Sequence, residues 1–137
     1  MIRVKLDQDV VGLTALLEQR SGARVKDCFK EQETIYFVVA TGEAGKAIGR
    51  NGVHVQQLQQ QLQKKIKVIE YHDSPAEFVR NLIAPLRVEE VREEGELLLL
   101  QDHNKKTKGL LIGREGKNLR ILNRAVQRFF PKEVKVI

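Results

Sequence analysis

The sequence predicts an α+β protein built from two tandem units of one design, and three observations carry that expectation. A glycine-centred stretch, Gly45-Lys46-Ala47-Ile48-Gly49-Arg50-Asn51-Gly52-Val53-His54-Val55, recurs as Gly109-Leu110-Leu111-Ile112-Gly113-Arg114-Glu115-Gly116-Lys117-Asn118-Leu119. Three glycines, an isoleucine, an arginine and the final apolar residue coincide at a constant offset of 64 residues, which is the mark of an internal repeat. The flanks repeat as well, and a length of 137 residues suits one ordinary domain or two very small ones.

Each element follows from local pattern. Residues 1–6 alternate apolar and basic side chains, a strand pattern rather than a signal peptide. Residues 9–20 carry Val10, Leu13, Leu16 and Leu17 on one helical face, and Ser21-Gly22 is a stop signal. Residues 25–30 read as a strand that includes the single cysteine, Cys28, a structural thiol with no internal disulfide partner. The run Ile35-Tyr36-Phe37-Val38-Val39 reads as a buried strand ahead of the first glycine stretch. Val55, Leu58 and Leu62 mark the helix after it, and Ile66-Lys67-Val68-Ile69 the closing strand.

The second unit repeats this order. Ser74-Pro75-Ala76-Glu77 has the form of a capping box with proline at the first helical position. Phe78, Val79, Leu82 and Ile83 form that helix's apolar face, and Pro85 ends it. Residues 86–93 and 96–100 read as strands around a Glu94-Gly95 turn. Leu119, Leu122, Val126 and Phe129 mark the helix after the second glycine stretch, and residues 134–137 a last strand. Each unit therefore runs helix, strand, strand, helix, glycine loop, helix, strand. The boundary falls at His72-Asp73-Ser74, giving units 1–72 and 73–137. With no Ser/Gly-rich linker between them, a rigid tandem is expected.

Charge narrows the class of partner. The net charge is +6. Residues 104–137 hold ten Lys/Arg against two Asp/Glu, whereas residues 1–103 hold fourteen against sixteen. A basic segment of that density favours a polyanion. No apolar run is long enough to span a bilayer, so a cytoplasmic protein without membrane contact is expected, acting as a monomer.

The repeated loop supplies the chemistry. A glycine turn that opens a helix aims backbone N–H groups and the positive end of the helix dipole at solvent, which suits a phosphate. Gly49, Gly52, Gly113 and Gly116 keep side chains away from that backbone, and Arg50 and Arg114 can add charge-assisted contacts. Asn51 and Glu115 complete the two tips, and Lys46 and Lys117 add charge beside them. Ile48, Val55, Ile112 and Leu119 pack the helix pairs and can also wall a groove for unstacked bases. Arg120, Arg124 and Arg128 recur four residues apart, a basic ridge on the second unit's helix. The matching first-unit helix is rich in glutamine, from Gln56 to Gln63, which reads chiefly as a neutral solvated face.

The pattern Ile-Gly-x-x-Gly-x-x-apolar, at Ile48 to Val55 and again at Ile112 to Leu119, resembles the signature of the KH family, whose modules clamp single-stranded RNA with this loop. The element order resembles the type II KH topology, which implies a three-stranded mixed sheet backed by helices in each unit. The closely spaced pair resembles archaeal NusA-like transcription factors. That likeness implies single-stranded RNA as ligand, a role in transcription elongation and termination, and no cofactor. The N-terminal polymerase-binding domain and S1 domain of bacterial NusA do not fit in this length. Contact with RNA polymerase therefore does not carry over, and polymerase or another transcription factor stays open as a partner. Glu115 also departs from the expected loop chemistry: either it points away from the strand, or the second loop binds more weakly than its surroundings suggest.

Competing classes fare less well. Ala40 and Ala47 stand where a P-loop needs glycine and a hydroxyl residue, and the glycines are not spaced as in a dinucleotide fold. His54, His72 and His103 share no metal-ligand spacing with Cys28, and no nucleophile–base pair is evident, so an enzyme is not expected. A ribosome-associated or RNA-processing KH protein and a KH-fold protein-interaction module remain alternatives.

Overall fold

The computed structural model describes residues 2–137, with side chains from Val10 onward. Its backbone divides into two compact units, Met1–Tyr71 and His72–Ile137.

The first unit opens with helix α1 (Ile2–Ser21), followed by strands β1 (Val25–Glu31) and β2 (Thr34–Val39). Two short helices, α2 (Ala44–Ile48) and α3 (Val53–Leu62), flank a single 3-10 turn at Arg50–Gly52, and strand β3 (Lys65–Glu70) closes the unit. β1 and β2 pair antiparallel, and β2 and β3 pair parallel, so the sheet is mixed in the order β1-β2-β3. Period-2 alternation along β2 sends Ile35, Phe37 and Val39 to one face. There they join Leu13 and Leu17 of α1, Cys28 of β1, Ala47 of α2 and Leu58 of α3 in one core. Cys28 lies opposite Phe37 and is buried, as a structural thiol should be. On the other face Phe29 and Tyr36, cross-strand partners, stack with ring centroids 4.9 Å apart.

The second unit follows the same path: α4 (Pro75–Ile83), β4 (Glu90–Glu94), β5 (Leu97–Gln101), α5 (Lys105–Ile112), a 3-10 turn at Arg114–Gly116, α6 (Lys117–Gln127) and β6 (Glu133–Val136). Its sheet, β4-β5-β6, has the same antiparallel and parallel pairings. The Ser74 hydroxyl caps α4 by accepting from the Glu77 N–H, with Pro75 at the first helical position. Phe78, Val79, Leu82 and Ile83 are all buried. Phe78 meets Phe129 edge to face at 5.4 Å, a geometry worth about 1 kcal/mol beyond burial.

Three expectations change. The alternating run at residues 1–6 is helical from Ile2 onward, with Met1 outside the described residues. A strand there would need a neighbour to satisfy its N–H and C=O groups, and the sheet is complete at three strands; a helix satisfies them internally. The strand expected over 86–93 begins only at Glu90. Its partner β5 ends at Gln101, opposite Glu90, and beyond that pair a side chain replaces the ladder. The buried Asp102 carboxylate accepts from the Glu89 N–H at 3.1 Å and the Asn104 N–H at 2.8 Å. Glu89 in turn accepts from the His103 backbone N–H at 2.6 Å and lies 2.9 Å from its ring Nδ1; these bonds hold the Glu89 carboxyl below its ordinary range. Finally, Phe129 lies past the end of α6, and Arg128 is the helix's C-cap rather than a member of it.

Asp102→Ala leaves two backbone donors without their acceptor. It is expected to lower the stability of the second unit by about 2 kcal/mol, read as a lower urea midpoint with an unchanged slope. An unchanged midpoint would mean that water replaces the carboxylate without loss.

Candidate functional site

The two glycine turns have the same backbone. Gly49 has φ 84 and ψ 167, and Gly113 has φ 76 and ψ 173. Asn51 (φ 57, ψ 25) and Glu115 (φ 56, ψ 28) are both left-handed, as are Gly52 (φ 74, ψ 19) and Gly116 (φ 74, ψ 14). Each turn is closed by two successive backbone bonds: Gly52 N–H to the Gly49 carbonyl at 3.0 Å and Val53 N–H to the Arg50 carbonyl in the first, Gly116 N–H to the Gly113 carbonyl at 3.2 Å and Lys117 N–H to the Arg114 carbonyl in the second. The conformation at Gly49 and Gly113, positive φ with extended ψ, is open essentially to glycine alone. The left-handed conformation at position 51 is one that asparagine adopts readily and glutamate does not.

The turns deliver what an anion needs. Helices α3 and α6 both begin at a left-handed glycine with no side-chain cap. The Val53 and Lys117 N–H groups bond back to the Arg50 and Arg114 carbonyls, and the amides that follow them, without intrahelical acceptors, lie with the positive helix ends beside the turns. Arg50 and Arg114 sit exposed at the two tips, next to Asn51 and Glu115, which are also exposed. The Glu115 carboxylate thus stands in solvent beside the second turn, where it offsets part of the Arg114 charge.

The flanking residues are not equivalent, although the repeat aligns them. Lys46 matches Leu110, and Lys117 matches Val53. Each turn therefore has one lysine and one exposed apolar neighbour, in opposite order: the lysine precedes the first turn and follows the second. Val53 is 38% and Leu110 48% exposed. Ile48 is exposed too, and Val55, Ile112 and Leu119 are half-buried. These four line the margin of the cores; the core positions of the same helices are Ala47, Leu58, Leu111, Leu122, Ala125 and Val126. Arg120, Arg124 and Lys117 are exposed on α6, and the exposed Arg128 continues the row at the helix end, where a cation suits the dipole.

The glutamine-rich helix is more engaged than a solvated face. The Arg20 guanidinium on α1 donates to Gln57 Oε1 at 3.1 Å and to Gln61 Oε1 at 2.8 Å. Gln59 Oε1 accepts from the Ile66 N–H of β3 at 3.1 Å. On α6 the corresponding Asn123 accepts from the Val134 N–H of β6 at 2.7 Å and donates to the Val134 carbonyl at 3.1 Å. An amide side chain thus pins each post-turn helix to the closing strand of its unit. Sequence reading missed both amides, although residues 59 and 123 stand at the repeat offset.

Among the described residues, no group of three or more His, Cys, Asp or Glu could hold a metal ion, and no helix is long and apolar enough to cross a membrane.

A family model for the KH domain matches residues 13–96. The "Probable transcription termination protein NusA" of Halococcus morrhuae is 32% identical over 131 residues, covering 94% of each chain. The protein of the same name from Methanococcus vannielii is 31% identical over 99% of this chain and 81% of its own. Among solved structures, the crystal structure of APE1850 superposes with a TM-score of 0.75 at 26% identity, covering 95% of this chain and 99% of that one.

Proposed function

This chain belongs to the KH domain family, and from that premise we propose that it binds single-stranded RNA and acts as a NusA-like factor in transcription elongation and termination. The observation that carries the reading is the pair of glycine turns. They share one backbone conformation, each opens a helix without a side-chain cap, and each carries an arginine at its tip. Support for the process comes from the relatives named as probable transcription termination proteins, which match along nearly the whole chain.

In this reading each unit is a type II KH domain, over 1–72 and 73–137. Backbone phosphates lie against Gly49-Arg50-Asn51-Gly52 and Gly113-Arg114-Glu115-Gly116. Lys46, Lys117, Arg120 and Arg124 supply further attraction, and Ile48, Val55, Ile112 and Leu119 edge the space that bases enter. The work is binding rather than catalysis, carried out in the cytoplasm by a monomer, with RNA polymerase or another transcription factor as protein partner.

The test is a titration with a random-sequence single-stranded RNA and with a duplex of equal length, between 50 and 200 mM salt. Single strands are expected to bind in preference, because the turn engages a backbone whose bases are free. If three or four phosphates are neutralised, affinity falls with salt on a log–log slope of about −2 to −3. Equal binding of the duplex, or a flat salt response, would overturn the reading. Co-fractionation with polymerase rather than with ribosomal particles separates the transcription role from a ribosomal one.

A further inference from the structure

We propose that His54 and Asn118 are loop-positioning residues: each is a latch that holds its glycine turn in the conformation that accepts phosphate. The inference rests on the reading of the turns as RNA-binding and assigns a role to two residues outside the Gly-x-x-Gly tips.

The geometry is the same in both units. His54 Nδ1 lies 3.1 Å from the Lys46 carbonyl, and Asn118 Nδ2 lies 2.8 Å from the Leu110 carbonyl. Residues 54 and 118 stand at the repeat offset, as do 46 and 110. The two side chains differ, but the donor does not. In both it is a nitrogen bonded directly to Cγ, so histidine and asparagine present it at the same reach from the backbone. A carbonyl can only accept, so His54 carries its proton on Nδ1.

The bond connects what the turn separates. Lys46 and Leu110 lie in the last turns of α2 and α5, where carbonyls lack intrahelical partners. His54 and Asn118 are the second residues of α3 and α6. Each latch therefore fastens the end of the helix before the turn to the start of the helix after it, and spans the residues whose amides face the ligand. The latch also occupies the space over the first glycine. A Cβ on Gly49 would lie 2.7 Å from His54 Nδ1, and one on Gly113 2.8 Å from Asn118 Nδ2. First glycine and latch thus form one device: the missing side chain of one admits the side chain of the other.

The consequence is a turn set before ligand arrives. Without the bond the two helices can splay, and the amides must be realigned at the expense of binding. Asn118→Leu keeps the shape and removes the donor; Asn118→His installs the first unit's latch. His54→Leu and His54→Asn are the matching pair.

The full chain is titrated with a labelled single-stranded oligouridylate, alongside thermal unfolding and amide hydrogen exchange at Gly116 and Lys117, whose N–H groups bond within the turn. Asn118→Leu is expected to bind about five- to tenfold more weakly, the worth of one hydrogen bond, with faster exchange in the turn. Asn118→His should restore both to within about twofold, and the His54 pair should behave likewise at Gly52 and Val53. Wild-type affinity in a folded Asn118→Leu protein, or failure of both conservative swaps to rescue, would overturn the proposal. If wild-type protein does not bind RNA, the function reading fails. Turn exchange then still decides the latch: unchanged rates in the leucine variants reject it.

Discussion

Gly113→Ala is expected to cost the second unit about 3 kcal/mol and to abolish binding through its turn. Two effects add. The backbone at Gly113, φ 76 with ψ 173, is a region that a Cβ makes strained, at a cost of about 1–3 kcal/mol. The added methyl would also lie 2.9 Å from the backbone nitrogen of Asn118 and 2.7 Å from its Cγ. That nitrogen belongs to α6 and cannot move without shifting the helix, so overlap adds a further cost of about 1–3 kcal/mol. Gly49→Ala should be milder, because the three atoms nearest its Cβ would all be side-chain atoms of His54 and Val53. Gly116→Ala should be milder still: nothing lies within 4 Å of its Cβ, leaving the left-handed backbone at a cost of about 1 kcal/mol. Thermal unfolding checks the order. A loss of 3 kcal/mol in a unit of this size moves Tm by roughly 10–20 °C, and equal Tm values for Gly113→Ala and Gly116→Ala would contradict the account.

Arg50→Asp combined with Asn51→Asp should weaken RNA binding by about 10- to 100-fold, from the lost charge-assisted contacts and the carboxylates set where phosphate lies. The fold should survive, because aspartate tolerates the left-handed backbone at position 51 and both side chains are exposed. Glu115→Asn should act in the opposite direction. It removes the carboxylate beside the second turn and supplies a residue suited to φ 56, so affinity is expected to rise about threefold, the scale of one exposed charge interaction. Unchanged Kd in the folded double variant would remove the first turn from the binding site. A weaker Kd for Glu115→Asn would mean that the carboxylate contributes to recognition instead of opposing it.

Much of this was legible because glycine at positive φ leaves a signature that few other constraints imitate. The repeated Gly-x-x-Gly fixed attention on two turns, and their dihedrals agree within about ten degrees. Apolar periodicity located the core of α4 and the buried run of β2 for an equally plain reason: burial demands it. What periodicity could not give was partnership between polar groups. Asp102 reads as one more charged loop residue until its carboxylate is seen taking the Glu89 N–H in place of a ladder bond and the Asn104 N–H at the start of α5. Gln57 and Gln61 read as solvated until Arg20 is found between them, from a helix more than thirty residues away. One of His54 and Asn118 carries a ring and the other an amide, so aligning them by type hid what they share, a donor nitrogen on Cγ. The alternation at residues 1–6 misled because a period of two is meaningful only when a neighbouring strand exists to use it.

The amide pin on α6 has a directional consequence. A helix held only by its apolar stripe can roll on the sheet, and a roll of one residue swings a side chain about 100° around the axis. Asn123 sits immediately before Arg124 and grips both the N–H and the carbonyl of Val134. A bond in each direction leaves no freedom to rotate without breaking one of them. The arginine row therefore has a fixed bearing relative to β6, and its field attracts along one heading. A polyanion drawn to this unit is not merely brought near. On the RNA-binding reading proposed above, it should arrive already aligned with the turn at the helix's other end.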